Sequence, residues 1–128
     1  MKNRAVFITG CDSGFGRLLA LKCAKSDIPT FAGCLTVDGQ RNLEKESSCL
    51  KSKIKTVLLD ITKDESVEAA FDFVKKNLEA DQKLWALVNN AGTLTSYGPD
   101  EWVSIDQYRR ALEVNTFGMI RCVHVTFC

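Results

Sequence analysis

Apolar and polar positions alternate along the chain in blocks: short, nearly continuous apolar runs separated by longer stretches of helical periodicity. Ala5-Val6-Phe7-Ile8-Thr9 reads as a buried strand, and Phe15 to Lys25 as a mostly buried helix. Thr30 to Leu35 is a second strand introduced by Pro29, which suits a strand start because proline has no N–H to give to a ladder. A short polar helix is expected around Gly39 to Ser48. Lys55-Thr56-Val57-Leu58-Leu59 is a third strand that ends at Asp60.

Thr62-Lys63-Asp64-Glu65 then has the form of a capping box, in which the threonine and glutamate side chains satisfy orphan amides reciprocally. Behind it Val67, Ala70, Phe71, Val74 and Leu78 share one helical face. Trp85-Ala86-Leu87-Val88 is a fourth strand that stops in Asn89-Asn90-Ala91-Gly92. A loop with Gly98-Pro99 leads to a last helix, capped by Ser104 or Asp106. Tyr108, Leu112, Asn115, Met119 and Cys122 lie along one face of it. Strand and helix alternate four times, which predicts parallel pairing through right-handed crossovers and therefore a doubly wound α/β sheet.

Composition narrows the picture without redirecting it. The 128 residues suffice for one domain with a core and not for two ordinary ones. Seventeen basic and sixteen acidic side chains leave a net charge of +1, so nothing calls for a nucleic acid or an acidic membrane surface. Apolar stretches such as Leu84 to Val88 fall far short of the roughly 18–20 residues of a membrane-spanning helix, and no signal-peptide pattern precedes the first strand. The six cysteines include no C-x-x-C pair and His124 is the only histidine. That pattern predicts free thiols in a reducing compartment and no structural zinc.

Chemistry enters with Gly10, Gly14 and Gly16, which stand where the first strand passes into the first helix. Glycine there allows a tight turn, close approach of backbone to a pyrophosphate, and close packing of helix on strand, while the helix N-terminus offers free amides. The spacing is G-x-x-x-G-x-G, and taken alone it fits either a phosphate-binding turn or three loop glycines. No lysine followed by serine or threonine comes after the turn, which argues against a nucleoside-triphosphate loop.

"TGCDSGFG" (Thr9 to Gly16), "LLDIT" (Leu58 to Thr62) and "VNNAG" (Val88 to Gly92) occur in order and in the right elements. Together they resemble the short-chain dehydrogenase/reductase family. "ITGCDSGFG", the "CLT" of Cys34-Leu35-Thr36 and "LWALVNNAG" are similar to its retinol and 17β-hydroxysteroid dehydrogenase branch. The resemblance covers nearly the whole chain and matches the amino-terminal half of a typical member. It implies one incomplete dinucleotide-binding (Rossmann) domain over residues 1–128, with about four parallel strands in the order 3-2-1-4 and helices on both faces. The activity implied is hydride transfer between a nicotinamide cofactor and a small lipophilic alcohol or ketone, such as a retinoid or steroid. It further implies a homo-oligomeric full-length form and an intracellular location. That location is cytoplasmic for this chain, or the endoplasmic reticulum membrane if an upstream anchor belongs to it.

By the same resemblance Gly10, Ser13, Gly14, Phe15 and Gly16 line the pyrophosphate and nicotinamide-ribose side. Asp60 and Ile61 meet the adenine, although Asp60 also reads simply as a helix-start residue. Asn90, Ala91 and Gly92 form the floor near the adenosine ribose, a role compatible with a turn asparagine that stops a strand. "EVNTFG" matches the family position whose asparagine, here Asn115, holds a water of the proton relay. Its plain reading is a buried amide bonded to backbone, since an unpaired one costs about 1–3 kcal/mol.

Cofactor choice rests on the end of the second strand, where an acid accepts from the ribose 2′-hydroxyl or an arginine meets a 2′-phosphate. Cys34 and Leu35 stand there and carry neither charge. Asp38 nearby would repel a 2′-phosphate and Arg41 would attract one; the balance points to NAD over NADP.

The family's reaction also uses a serine and a Tyr-x-x-x-Lys pair, a tyrosine acting as acid or base with its pKa lowered by the lysine. Here Tyr97 is followed four residues on by Glu101 and Tyr108 by Leu112, so neither forms the pair. His124 is a conceivable base, but a lone histidine on a helix reads first as a surface or core residue. A fifth strand beside the fourth is missing, which leaves an open apolar edge, and the last helix lacks a glycine cap or proline stop. The expectation is therefore a fragment or incomplete gene model that shows no alcohol-dependent NAD reduction on its own. The alternative is a catalytically inactive product that serves as a nucleotide-binding or interaction module.

Overall fold

The four apolar runs become four parallel strands in the computed structural model, which describes residues 3–50, 52–94 and 98–127. They are β1 (Arg4–Ile8), β2 (Thr30–Cys34), β3 (Ile54–Leu58) and β4 (Lys83–Val88), paired in the order β3-β2-β1-β4. Phe7 sits opposite Phe31 on β2 and opposite Leu87 on β4, so β1 is the central strand. The sequence reading places each strand correctly to within two residues at either end.

Alternation along β1 assigns its side chains to two cores. Val6 and Ile8 pack with Ala32 and Cys34 against α1 (Gly14–Lys25) and α2 (Val37–Ser47), through Ala20, Leu21, Ala24 and Leu43. Ala5 and Phe7 pack with Phe31 on the opposite face against α3 (Asp64–Asn77) and α5 (Met119–Phe127), through Val67, Ala70, Val74 and Cys122. Helices thus cover both faces of a parallel sheet, the doubly wound arrangement that strand-helix alternation predicts.

The chain order β1, β2, β3 runs outward to one side, and β4 returns to the other side of β1. A crevice therefore opens between β1 and β4 at the carboxyl ends of the strands, the switch point where α/β proteins bind ligands.

Three local expectations need correction. Helix α1 is amphipathic rather than mostly buried: Gly16, Ala20, Leu21 and Ala24 face the core, while Phe15 and Leu18 are 86% and 63% exposed. The Thr62 capping box does not form. The helix starts one residue later than that box requires: Lys63 is the N-cap of α3 without a side-chain cap bond, and the Thr62 hydroxyl turns back to donate to Asp60 Oδ1 at 2.6 Å.

The last helix is not one amphipathic rod. It comprises α4 (Ile105–Leu112), a π-helical stretch Glu113–Gly118, and α5. A π turn holds more residues than an α turn and rotates everything after it about the axis. The expected apolar face is accordingly broken: Cys122 is buried, while Leu112 is 52% exposed. Ser104 is the cap, in a reciprocal box with Gln107. Asp106 lies inside the first turn.

Candidate functional site

The crevice is built first from Thr9, which is fully buried at the end of β1. Its Oγ1 accepts from Asn90 N–H and Ala91 N–H, both at 3.0 Å, and donates to the Val88 carbonyl at 3.4 Å. That exhausts the hydroxyl. Asn90 answers from β4's exit: its Nδ2 donates to the carbonyls of Thr9 at 2.9 Å and Gly10 at 3.0 Å. The glycine turn and the Asn-Ala-Gly turn are thereby locked together across β1 and β4.

Two glycines make that lock possible. Gly10 has φ +70°, and a Cβ there would lie 2.7 Å from Ala91 Cα. A Cβ at Gly16 would strike both Asn90 Nδ2 and the Gly10 carbonyl oxygen. The first lets two turns touch through backbone; the second lets α1 descend onto the end of β1.

Beside this lock lies a cavity of about 880 Å³. Gly10, Ser13 and Phe15 line it from the glycine turn, Asp60 and Ile61 from the end of β3, and Asn90, Ala91 and Gly92 from the end of β4. Gly14 and Gly16 do not line it; they shape the turn behind it. Ser13 is the N-cap of α1 and makes no side-chain cap bond, and the first turn of α1 carries no acidic residue. The helix therefore presents its first amides and its positive end without a carboxylate in its own first turn.

Asp60 is fixed from all sides. Its amide donates to Ser66 Oγ at 2.9 Å, its Oδ1 accepts from Thr62 N–H at 3.0 Å and from the Thr62 hydroxyl, and Lys63 Nζ stands 3.4 Å from Oδ2. The Thr62 hydroxyl bond above all holds its carboxyl below the ordinary value, so it stays a carboxylate acceptor at neutral pH.

The remaining wall comes from the last helix, where Arg110, Glu113 and Val114 face the cavity. Arg121 steadies this wall: its guanidinium reaches Asp64 Oδ1 and Glu113 Oε1, both at 2.6 Å, and the Ile61 carbonyl at 3.4 Å.

Asn115 lies outside this cavity, in an adjoining depression with Gly92, Thr93 and Met119. Half-buried rather than fully buried, it pairs with the Thr93 backbone through both ends of its amide. Tyr108 is remote, hydrogen-bonded to Asp100, and His124 is exposed on α5 without lining the cavity. Tyr97 and Cys128 lie outside the described residues.

Sequence reasoning missed Thr9 and Asp12, although both stand within the quoted glycine motif. Asp12 lines the cavity, and its carboxylate accepts from Leu35 N–H at 2.7 Å, Thr36 N–H at 2.8 Å and Thr36 Oγ1 at 2.7 Å. Its long reach, 23 and 24 residues along the chain, is invisible to local spacing. The end of β2 is otherwise as expected: Cys34 is buried, with its thiol pushed up to about 12 by burial, and Leu35 is exposed on the cavity rim. Among the described residues no helix is long and apolar enough to cross a membrane.

Comparison with known proteins agrees with this geometry. Residues 4–127 match the family model for short chain dehydrogenase. A 3beta-hydroxysteroid dehydrogenase of Caenorhabditis elegans is 46% identical over 93% of this chain and 32% of its own length. A 17-beta-hydroxysteroid dehydrogenase type 6 of Bos taurus is 45% identical over 94% of this chain and 37% of its own. Retinol dehydrogenase 16 of Mus musculus is 42% identical over the same shares. The chain thus spans about a third of the length of these relatives. Among solved structures, a 3-ketoacyl-(acyl-carrier-protein) reductase from Brucella melitensis complexed with NADH superposes with a TM-score of 0.85 at 26% identity, covering 96% of this chain and 48% of that one. With the family model matched over every residue that builds the crevice, the chain belongs to the short chain dehydrogenase family.

Proposed function

We propose that these residues form the cofactor-holding part of an NAD-dependent oxidoreductase that interconverts a lipophilic alcohol and its carbonyl compound, of the retinoid or steroid class. The observation that carries this reading is the crevice between β1 and β4, where the open N-terminus of α1, the locked glycine turn and the Asp60 carboxylate face one space. The hydroxysteroid and retinol dehydrogenases among its relatives support the substrate class, and the NADH complex of the reductase supports the cofactor.

The donor set fits a nicotinamide dinucleotide. Amides at the head of α1, with Gly10, Ser13, Gly14, Phe15 and Gly16 around them, suit a pyrophosphate. Asp60 offers an acceptor for the exocyclic amine of adenine, and Ile61 an apolar wall for its ring. Asn90, Ala91 and Gly92 form the floor under the ribose. When bound, the nicotinamide gives or takes the hydride. Asn115 holds a water for proton transfer at the depression beside the floor.

Within the 128 residues no tyrosine has a lysine four positions on. That observation favours a second, narrower statement: these residues alone hold the dinucleotide and do not turn over an alcohol. Calorimetric titration of the purified chain with NAD+ tests the first statement, with saturable binding expected; no binding at millimolar concentration overturns it. Absorbance at the NADH band with retinol or a hydroxysteroid tests the second. No reduction is expected, and steady turnover by the purified chain overturns it.

A further inference from the structure

We propose that Asp12 sets the preference for NAD over NADP, because its carboxylate fills the donors at the head of α2 that a ribose 2′-phosphate would need. This rests on the dinucleotide reading above. The decisive place is the passage from β2 to α2, where the rule of an acid or an arginine at the strand end finds only Cys34 and Leu35.

The structure supplies the missing acid from elsewhere in the chain. Leu35 N–H donates to Asp12 Oδ2, while Thr36 N–H and the Thr36 hydroxyl both donate to Oδ1. Thr36 is at the same time the N-cap of α2, its Oγ1 accepting from Gly39 N–H at 3.0 Å. Amide and hydroxyl donors converging at a helix head are what a phosphate seeks. Here they are already satisfied by a fixed internal anion that lines the same cavity.

The charge of Asp12 matters as much as the donors it fills. Its own amide joins those of Leu35 and Thr36 and the Thr36 hydroxyl in bonding the carboxylate. A carboxylate is an acceptor only, and it repels a phosphate oxygen that can likewise only accept. Burial raises the Asp12 pKa, but the bonds from Leu35 and Thr36 outweigh it and hold it below 3.8, so the charge is present at neutral pH.

Among the described residues the nearby cations are engaged elsewhere or face away from the Asp12 carboxylate. Arg17, the nearest basic residue to the turn in sequence, is committed through Nη2 to Glu46 Oε2 at 2.5 Å and through Nη1 to the Asp12 carbonyl at 3.5 Å. Arg41 is exposed on α2 and does not line the cavity. Arg110 does, but on the wall made by α4. Discrimination thus works by an unfavourable contact for the wrong cofactor.

The test is calorimetric titration of NAD+ and NADP+ into the 128-residue chain and two variants, Asp12→Ser and Asp12→Asn. Serine is too short to reach Leu35 and Thr36 and frees their donors; asparagine keeps the shape and removes the charge. The unmodified chain should bind NADP+ at least about tenfold more weakly than NAD+, a gap of about 1.4 kcal/mol. In Asp12→Ser that ratio should shrink about tenfold or more, through tighter NADP+ binding; in Asp12→Asn it should shrink less.

A purely structural aspartate would weaken both cofactors together and leave the ratio alone, and that result overturns the proposal. Equal binding of the two cofactors by the unmodified chain overturns it as well, while leaving the dinucleotide reading intact. Absence of binding of either cofactor to the unmodified chain overturns both. If Asp12→Ser fails to melt cooperatively, the comparison rests on Asp12→Asn, and an unchanged ratio there is decisive against the proposal.

Discussion

Asn115 treats Thr93 as a strand would treat its neighbour: its Oδ1 accepts from Thr93 N–H at 2.8 Å and its Nδ2 donates to the Thr93 carbonyl at 2.8 Å. Thr93 has left the sheet after β4, so this amide supplies backbone pairing where the sheet no longer does. The π-helical stretch that contains Asn115 sets the phase in which its side chain reaches across.

Asn115→Leu should therefore expose the cost of two orphaned backbone groups. Both bonds are partly open to water, so the loss should fall at the lower part of the usual range, about 1–2 kcal/mol. Urea unfolding reads it directly as a lower midpoint at unchanged slope. A variant as stable as the parent would mean that the pairing contributes nothing to the folded state.

Thr9 is fully buried, and its hydroxyl holds two amides of the Asn-Ala-Gly turn. Thr9→Val is nearly isosteric and removes the only acceptor that both the Asn90 and Ala91 amides use. Two half-buried donors left unpaired should cost about 1–3 kcal/mol together, whereas Thr9→Ser keeps the oxygen and should cost under about 1 kcal/mol. Thermal melts of the pair separate loss of the oxygen from loss of the methyl group. Similar melting points for the two variants would sink the argument.

Much of this fold was legible because periodicity is a local signal. Val67, Ala70, Phe71 and Val74 repeat on one face, and all four are buried as the spacing requires. The failures have physical causes that local spacing does not carry. Thr62 stands one residue too early to cap α3, whose N-cap is Lys63, and its hydroxyl turns back to the aspartate two residues before it. Leu112 and Cys122 fall on one face only if the helix keeps 3.6 residues per turn, and the stretch Glu113–Gly118 does not. Asp12 carries no local signal of its role, because its partners Leu35 and Thr36 lie 23 and 24 residues further along the chain.

Gly14 and Gly16 should not respond alike to alanine. At Gly16 a methyl group meets the Gly10 carbonyl and Asn90 Nδ2, groups fixed by the interlocked turns. Overpacking there should cost about 1–3 kcal/mol and weaken NAD+ binding by disturbing the turn. At Gly14 a methyl group meets nothing within 4 Å, so the cost reduces to that of holding alanine at φ +59°. That amounts to about 1–2 kcal/mol. The distinguishing readout is how binding tracks stability: Gly16→Ala should lose affinity at a temperature where it is still folded, and Gly14→Ala should lose less. The reverse order would show that the turn's left-handed residue matters more than its close contact.

Acid should weaken the fold through Asp60, and the sign follows from its surroundings. The Thr62 hydroxyl, the Thr62 amide and Lys63 favour the charged form, holding its native pKa below the ordinary 3.8. The native state then binds fewer protons than the unfolded chain, so the stabilisation is complete above that ordinary value and is lost as pH falls through the native one. Asp60→Asn cannot titrate and lacks this dependence. It should be less stable than the parent at neutral pH, and the two should converge once the parent's Asp60 is protonated. Because the Asp60 side chain is only partly buried, 30% exposed, the neutral-pH gap should be modest and shrink with added salt. Urea unfolding of parent and variant, from neutrality down past the ordinary carboxylate range, measures the gap; a constant difference at every pH would mean that the Asp60 charge plays no part in stability.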